Sequence, residues 1–260
     1  MHTALQKNLA FLSLGLFMKI AILGYGKMGR FIERLALEQG HEIVLRIDQD
    51  NAAQLTSSQL QQAEVAIEFS RPDTAYGNIM QCLKAGLPVV CGTTAWLEDY
   101  PKVVEWCTNN GGAFFYASNF SIGVNIFFEL NQYLAKLMNA HSTYQVTLEE
   151  IHHTQKLDAP SGTAVTLAEG ILEKVERLEK YQLQQEAQAA MEDGCIPITA
   201  HRIGDTPGTH VVTYNSGVDT LEIKHTAKGR EGFASGALMA AQWLIGKEGV
   251  FGMSDLLQLN

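Results

Sequence analysis

The sequence predicts an α/β protein in which a Rossmann-type parallel-sheet domain is combined with a smaller α+β domain that contains a mixed sheet. Three observations support this fold class. The apolar run 20–23 leads into a glycine-rich loop at 24–29 and then into an amphipathic helix. Apolar strands and helices alternate up to residue 116, which is typical of a parallel sheet covered by helices on both faces. Beyond residue 121 the strands mostly alternate apolar and polar residues, which indicates a second, mixed sheet.

Length and composition describe an ordinary globular chain. It has 260 residues, of which 46% are hydrophobic and 18% charged, so one or two units with sizeable cores are expected. The net charge of -9 argues against nucleic acid as a partner. Four cysteines without CxxC spacing fit free thiols in a reducing compartment, and the cytoplasm is the expected location.

The first residues include an apolar segment, 9–17, that superficially resembles a signal peptide. It is too short to span a bilayer, and no cleavage site of small residues follows it. We therefore interpret residues 1–17 as an N-terminal extension and Met18 as the functional start, and we expect no membrane partner.

The first loop has the spacing of a dinucleotide-binding turn. Gly24 would permit the tight turn, Gly26 would let the backbone approach a pyrophosphate, and Gly29 would let the helix pack against the strand. Asp48 ends the second strand, where a carboxylate can accept hydrogen bonds from the adenine ribose. That carboxylate would repel a 2′-phosphate, whereas Lys27 could reach one. Both NADH and NADPH are therefore expected as cofactors.

Three later loops, at 69–72, 92–94 and 117–120, follow predicted strands of the same sheet. In parallel sheets ligands bind beyond the carboxyl ends of the strands, so these polar turns are expected to face the cofactor. Cys91 precedes one of them, and we interpret it as a small buried residue rather than a redox sensor. The predicted cofactor-binding residues are Gly24, Tyr25, Gly26, Lys27, Met28, Gly29, Asp48, Gly92, Thr93, Thr94, Ala117, Ser118, Asn119 and Phe120.

The stretch 150–164, EIHHTQKLDAPSGTA, places three potential proton donors just before a predicted helix. Ser161 or Thr163 can cap that helix, and outward-pointing amides at its start can bind a carboxylate or phosphate. Adjacent histidines titrate near neutral pH, and a lysine adds a fixed positive charge. The pattern predicts a site for a small dicarboxylate. The ordinary alternative is a pair of surface histidines beside a helix cap; zinc is disfavoured by the lysine and by the ligand spacing, so no metal is expected.

The second half is predicted to contain strands near 144–148, 198–202, 210–214 and 221–225, with one helix, about 164–180, on one face. The other face is expected to be apolar and to form an oligomer, because exposed apolar area costs about 25 cal/mol per Å². The alternative is a monomer with a polar second face. The segment 182–194 shows no clear period.

The end of the chain is predicted to return to the nucleotide domain through a helix at 234–244 and a final turn capped by Ser254. The predicted domains are a discontinuous dinucleotide-binding domain, 18–121 with 234–260, and a substrate-binding and tetramerisation domain, 122–233.

The stretch 150–164 resembles the signature of the 4-hydroxy-tetrahydrodipicolinate reductase (dihydrodipicolinate reductase) family. The segment 202–210 resembles that family's Arg-x-Gly-x-x-x-Gly-x-His stretch, and the three later loops resemble its cofactor-contacting loops. Two departures bear on cofactor preference. The first glycine loop is one residue shorter than the GxxGxxG form common in the family, and Ala95 stands where many members have glycine.

The resemblance implies reduction of (2S,4S)-4-hydroxy-2,3,4,5-tetrahydrodipicolinate to tetrahydrodipicolinate in lysine and diaminopimelate biosynthesis, by a homotetramer built through the second sheet. Hydride addition leaves negative charge that a proton donor must quench. His152 is expected to be that donor, with Lys156 as second acid, both opposite the nicotinamide. His153, Gly162 and Thr163 are expected to hold a carboxylate. Since neighbouring side chains of a strand point to opposite faces, the strand must end or bend at His152 if both histidines serve one ligand.

Two other classes of function remain open from the residues. A non-catalytic dinucleotide sensor would need the glycine loop but not the His-His-x-x-Lys pattern. Another two-domain dehydrogenase would share the first half but would carry a different acid, or a reactive cysteine, in the second half.

Overall fold

The computed structural model describes residues 17–184 and 193–259. These residues divide into two compact units: the first contains residues 17–120 and 233–258, and the second contains residues 121–232. Most of the predicted N-terminal extension and much of the segment 182–194 lie outside the described residues. In the part that is described, no helix is long and apolar enough to cross a membrane.

Strands and helices alternate along the first half of the chain, whereas strands dominate the second. In chain order, the described elements are β1 (Lys19–Leu23), α1 (Lys27–Glu38), β2 (Glu42–Ile47), α2 (Ser57–Leu60), β3 (Val65–Glu68), α3 (Pro72–Lys84), β4 (Val89–Cys91), α4 (Tyr100–Asn110), β5 (Ala113–Tyr116), α5 (Ile122–Met138), β6 (Gln145–His152), α6 (Gly162–Leu172), β7 (Lys180–Gln184), β8 (Cys195–Arg202), β9 (Thr209–Asn215), β10 (Thr220–Thr226), α7 (Glu231–Leu244), β11 (Gly249–Phe251) and α8 (Met253–Leu257).

The first unit is built on a parallel sheet with the strand order β11-β5-β4-β3-β1-β2. Its central strands β1, β3 and β4 are mostly apolar, which is typical of a parallel sheet whose two faces are both covered. Every residue of β3 and β4 is buried. β1 ends at Leu23 and α1 begins at Lys27, which puts the glycine loop between a strand and a helix.

The end of the chain supplies the sixth strand, since β11 pairs in parallel with β5, as the predicted return required. One local prediction is wrong. The final helix begins after Gly252, whose amide donates to the Asp255 carboxylate at 2.7 Å, so Ser254 is not its cap.

The second unit contains the mixed sheet that was expected, in the order β10-β9-β6-β8-β7. Central strand β6 runs parallel to β8 and antiparallel to β9. Two helices, α5 and α6, pack on one face rather than one. Their apolar residues share a buried cluster with the strands, including Leu134, Leu167, Ile171, Val212 and Tyr214. The fold class is therefore confirmed.

Helix α6 ends at Leu172, eight residues before the predicted position at 180. The side chain of Arg177 donates to the carbonyl oxygens of Met138 and Asn139 at 3.2 Å each and to that of Tyr144 at 3.1 Å. These contacts reach the end of α5 and the start of β6. The long-range hydrogen bonds thus favour a turn where the local periodicity favours helix.

The expectation of an apolar second face on this sheet is wrong. Side chains alternate between the faces of a strand, and the apolar members Val146 and Leu148 of β6 point toward the helices. Apart from Ile151, Cys195, Pro197 and Val211, the opposite face is mainly polar. It carries Thr147, Glu149, Thr199, Thr213, Glu222 and Lys224, which are half-buried or exposed.

Candidate active site

The glycine loop between β1 and α1 has the backbone that a dinucleotide requires. Gly24 has a φ of 96°, and a β-carbon there would lie 2.2 Å from the carbonyl oxygen of Phe69. A β-carbon at Gly29 would lie 2.4 Å from the carbonyl oxygen of Gly24, so the helix start packs directly on the loop. Nothing lies within 4 Å of such an atom at Gly26, where the backbone is open to a ligand. Each glycine thus has the environment that its predicted role demands.

A cleft of about 420 Å³ lies beside this loop. Its lining includes Gly24, Tyr25, Gly26 and Asp48, which the structure therefore brings together. The other predicted cofactor residues are not part of its lining: Lys27, Met28 and Gly29 belong to α1, and Gly92, Thr93, Thr94, Ala117, Ser118, Asn119 and Phe120 follow β4 and β5.

Two arginines also line the cleft. Arg30 received no predicted role, whereas Arg71 belongs to the loop 69–72 that was expected to face the cofactor. Arg30 lies in the first turn of α1, and Arg71 lies in the loop after β3. Arg71 forms an ion pair of 2.8 Å with Asp73, and both partners are largely exposed. Asp48 accepts the amide of Asp50 at 3.0 Å, which turns the chain at the end of β2. The cleft therefore contains cations as well as carboxylates.

Tyr25 is fixed by a polar cluster behind the glycine loop. Its hydroxyl donates to the Glu33 carboxylate, which also accepts a 2.6 Å hydrogen bond from Nε of Arg46. Burial alone would raise the pKa of Glu33, but the hydrogen bonds from Tyr25 and Arg46 outweigh it, and the pKa is lowered. The carboxylate therefore stays charged and ties the loop to α1 and β2.

A fully buried carboxylate, Glu68, joins two of the predicted cofactor loops. Its Oε2 accepts the Thr93 hydroxyl at 2.6 Å, and its Oε1 accepts the Ser70 amide and the Asn78 amide group at 3.2 Å each. The thiol of Cys91 donates to it at 3.3 Å. Burial, with the nearby charge of Glu68, raises the pKa of that thiol, so Cys91 is a buried protonated group. Glu68 received no predicted role because it ends a strand that is otherwise apolar.

Ala95, at the departure from the family pattern, has a φ of 60°. This left-handed conformation favours glycine, because a β-carbon clashes with the adjacent backbone. The local backbone therefore explains why glycine is common at this position.

In the second unit, β6 ends at His152, so the two adjacent histidines are separated by the end of the strand. The carbonyl of His152 accepts the Ile203 amide at 2.7 Å, just beyond the end of β8. His152 is 8% exposed, whereas His153 lies in the following turn and is half-buried. The strand end is the condition under which both can serve one ligand.

Lys156 closes that turn. Its amide donates to the carbonyl of His153 at 3.1 Å, and its ammonium binds both carboxylate oxygens of Asp158 at 2.7 and 2.8 Å. The hydrogen bond from Lys156 lowers the pKa of Asp158, whose side chain is largely exposed. The ammonium is therefore paired with a carboxylate that solvent reaches, and a ligand carboxylate could share it.

Helix α6 begins with Ser161 as its cap, one of the two predicted candidates. The Ser161 hydroxyl accepts the Ala164 amide at 3.2 Å. Gly162 is exposed and Thr163 is half-buried at the first helical positions, whose amides have no partner within a helix. These amides can therefore bind an anion.

A buried carboxylate, Glu150, supports the whole group. Both of its oxygens accept the Ser161 amide at 3.1 Å, and Oε1 accepts Nη2 of Arg202 at 3.1 Å. The same guanidinium donates to the carbonyl oxygens of Asp158 at 2.6 Å and Lys156 at 3.3 Å. Neither residue received a predicted role, although each begins one of the two stretches that resemble the family.

His152 and His210 share the buried end of the sheet, with ring centroids 5.0 Å apart. Nδ1 of His152 lies 3.4 Å from Oε2 of Glu150. Burial lowers the pKa of His152, and the charge of Glu150 partly opposes that effect. Burial lowers the pKa of His210 to about 4. Without a ligand, both rings are therefore largely neutral at pH 7.

Space around His152 is restricted. A β-carbon at Gly208, which has a φ of 154°, would lie 3.1 Å from Nε2 of the imidazole. Gly208 and Arg202 both belong to the segment 202–210. This segment therefore packs against the segment 150–164 at two places, with Gly208 beside His152 and Arg202 beside Glu150.

Three side chains of this group are of types that can bind metal ions. They belong to Glu150, His152 and His210, and each has one potential ligand atom within 4.8 Å of the other two. The carboxylate, however, already binds the Arg202 guanidinium and a backbone amide. A second cation beside the guanidinium would be repelled in this poorly solvated region. The arrangement favours an internally neutralised carboxylate over a metal centre.

Comparison with known proteins decides the family. The model of the dihydrodipicolinate reductase N-terminus matches residues 18–120, and that of the C-terminus matches residues 123–257. The chain belongs to the dihydrodipicolinate reductase family. The resemblance inferred from the sequence is thereby confirmed.

Relatives within the dihydrodipicolinate reductase family match nearly full length. The chain is 52% identical over 242 residues to the 4-hydroxy-tetrahydrodipicolinate reductase of Christiangramia forsetii, covering 92% of this chain and 98% of the relative. It is 32% identical to the enzyme of that name from Alkaliphilus metalliredigens, covering 94% and 100%. A dipicolinate-bound dihydrodipicolinate reductase from Paenisporosarcina sp. TG-14 has the same fold, with a TM-score of 0.73, 24% identity and coverage of 92% and 99%.

Proposed function

We propose that this protein is a 4-hydroxy-tetrahydrodipicolinate reductase that uses NADH or NADPH in lysine and diaminopimelate biosynthesis. The reaction converts (2S,4S)-4-hydroxy-2,3,4,5-tetrahydrodipicolinate, a hydride and a proton to tetrahydrodipicolinate and water. One observation carries the proposal: a relative of that name is 52% identical over 98% of its own length. Both halves of the chain belong to the same family, so the relation is not limited to a shared dinucleotide fold.

Residues of the first unit would bind the cofactor. NADH or NADPH, when bound, supplies the hydride. Gly24 and Gly26 would admit the pyrophosphate, and Asp48 would accept hydrogen bonds from the adenine ribose. The carboxylate of Asp48 favours NADH, whereas Arg30 and Arg71 supply positive charge for a 2′-phosphate in the same cleft. We therefore expect NADH to be used well and NADPH to be accepted.

Residues of the second unit would bind the substrate through its carboxylates. The amides of Gly162 and Thr163, with His153, would hold one carboxylate at the start of α6. Lys156 would exchange part of its ion pair with Asp158 for the substrate, which costs little because Asp158 stays solvated.

His152 would donate the proton that quenches the charge left by hydride addition, and Lys156 would be a second acid. A buried neutral imidazole is a poor acid, but two substrate carboxylates bring negative charge that raises the proton affinity of a nearby histidine. Substrate binding would therefore help to charge the donor that the reaction needs.

We also propose a homotetramer that forms through the second sheet, in a reducing compartment, the cytoplasm. The tetramer rests on the family resemblance. Because the available face is mainly polar, its contacts would consist largely of hydrogen bonds and charge pairs rather than apolar burial. Light scattering on the purified protein measures the assembly, and a monomeric mass would contradict it.

The activity is tested by following NADH absorbance with enzymatically generated substrate, and then with NADPH. His152→Gln should lower kcat strongly and leave NADH binding nearly intact. The control His141→Gln, at an exposed position in the turn after α5, should leave both kcat and NADH binding unchanged. Unchanged turnover in His152→Gln would remove this residue from the proposed role.

The substrate site has a separate test. Lys156→Ala should lose activity and should weaken binding of pyridine-2,6-dicarboxylate, an aromatic analogue of the ring with its two carboxylates. Lys174→Ala, which removes an ammonium paired with Glu173 beyond the far end of α6, is the control. If the analogue bound equally well to Lys156→Ala, this residue would not contact the substrate.

A further inference from the structure

Glu150 is a charged side chain with no exposure to solvent in the proposed substrate site. Its neighbours come from three different parts of the second unit. The Ser161 amide at the start of α6 and the guanidinium of Arg202 on β8 both donate to it, and His152 lies two residues further along its own strand. One carboxylate therefore contacts or faces each structural part of the site.

We propose that Glu150 is the positioning residue of the reductase site, which orients Lys156 through Arg202 and supplies the negative charge that faces His152. This inference rests on the proposed function and adds a residue to it. Glu150 itself does not need to touch the substrate, because it acts through groups that do.

The path to Lys156 runs through the backbone. Nη2 of Arg202 donates both to Glu150 and to the carbonyl oxygen of Asp158, and Nε of the same guanidinium donates to the carbonyl oxygen of Lys156. A guanidinium presents several donors in one rigid plane, so fixing one edge fixes the direction of the others. Glu150 thus determines where the turn that carries the ammonium is held.

The effect on His152 is electrostatic. The charged and titratable groups around this imidazole are Glu150 on its own strand, Lys156 and Asp158 in the following turn, Arg202 on β8 and His210 on β9. Desolvation and the two cations disfavour the imidazolium, whereas Glu150 contributes more than Asp158 to favouring it. Replacing that carboxylate with a neutral amide should therefore lower the pH at which His152 gains its proton.

The experiment compares the pH profiles of kcat for the wild type, Glu150→Gln and the control Glu169→Gln, an exposed position on α6. Glu150→Gln should lower kcat at pH 7 on the order of a hundredfold, as expected for a misplaced reacting group, and should move the alkaline limb to lower pH. Glu169→Gln should change neither. A purely structural role would reduce kcat at every pH without moving the limb, and that result would overturn the proposal.

A second variant guards against simple unfolding, because Glu150→Gln leaves the Arg202 charge without its partner. The double variant Glu150→Gln, Arg202→Gln removes both charges. It should still show the alkaline limb at lower pH, since Glu150 affects the imidazole more than Arg202 does. A limb at the wild-type position in the double variant would contradict the charge role of Glu150.

NMR titration measures the protonation of the His152 imidazole directly and does not require turnover. The His152 resonance is assigned by its absence in His152→Gln. In Glu150→Gln the imidazole should titrate at lower pH than in the wild type, and an unchanged titration would overturn the inference. A wild type without reductase activity would refute the proposed function alone, and the NMR comparison would still decide the role of Glu150.

Discussion

The strongest stability prediction concerns His210, which is 4% exposed and whose pKa burial lowers to about 4. An unfolded histidine titrates near pH 6.5, so between about pH 6.5 and 4 the unfolded chain binds a proton that the folded chain does not. The contribution of neutral His210 is therefore fully present above pH 6.5 and is lost as the pH falls toward 4. At about 1.4 kcal/mol per pH unit, about 3 kcal/mol is lost over the window, and about 2 kcal/mol by pH 5.

Substituting His210→Gln removes the titrating group but keeps an amide that can bond to the Ser161 hydroxyl, which lies 3.0 Å from the histidine. The measurement is urea unfolding followed by circular dichroism at pH 7.5 and pH 5. If the two units unfold separately, the transition of the second unit is used. The wild type should lose about 2 kcal/mol more than His210→Gln between these pH values.

The control is His141→Gln, which makes the same replacement at an exposed histidine in the turn after α5. The other groups that titrate in this range are common to the wild type and His210→Gln, so the difference between these two proteins isolates His210. Equal pH dependence in the wild type and in His210→Gln would refute the argument that burial keeps this imidazole neutral.

Three further results are expected. Gly24→Ala should abolish NADH binding in a fluorescence titration, because the β-carbon would overlap the carbonyl of Phe69 at 2.2 Å; normal affinity would contradict this. Asp48→Asn should raise the ratio of kcat/KM for NADPH to that for NADH about tenfold by removing charge repulsion, and an unchanged ratio would place Asp48 away from the 2′ position. Ala95→Gly should raise the free energy of unfolding by about 1 kcal/mol in urea titrations by relieving a φ of 60°; a decrease would show that glycine's extra freedom when unfolded dominates.

Local sequence patterns predicted the structure correctly where interactions between residues close in sequence determine it. The first loop could be interpreted because glycine alone tolerates the backbone of Gly24 and the close approach at Gly29. The start of α6 followed from the chemistry of helix caps, which left Ser161 and Thr163 as candidates, and the structure selects Ser161. The parallel sheet followed from buried strands that alternate with helices, a pattern that repeats along the chain.

Patterns failed where a distant group competes with a local preference. The periodicity after 172 favours helix, yet Arg177 binds carbonyl oxygens more than thirty residues earlier and draws the chain into a turn. The second face of the mixed sheet was expected to be apolar because its strands contain many apolar residues. Whether those residues share one face depends on which face each side chain points to. That assignment depends on register, and register is a property of paired strands.

The sequence by itself determined the fold class, the dinucleotide turn and the family to which the chain belongs, because each is carried by residues close together in the chain. Only the tertiary structure brought Glu150, Arg202 and His210 together, from strands as far as 60 residues apart (210 minus 150). The folded structure also determines the charge states of these groups. A carboxylate with no solvent contact must be neutralised by a guanidinium and an amide. An imidazole buried beside it has a lowered pKa and loses its proton. Burial is a property of the folded chain, so no local sequence pattern could predict which of these side chains would be buried.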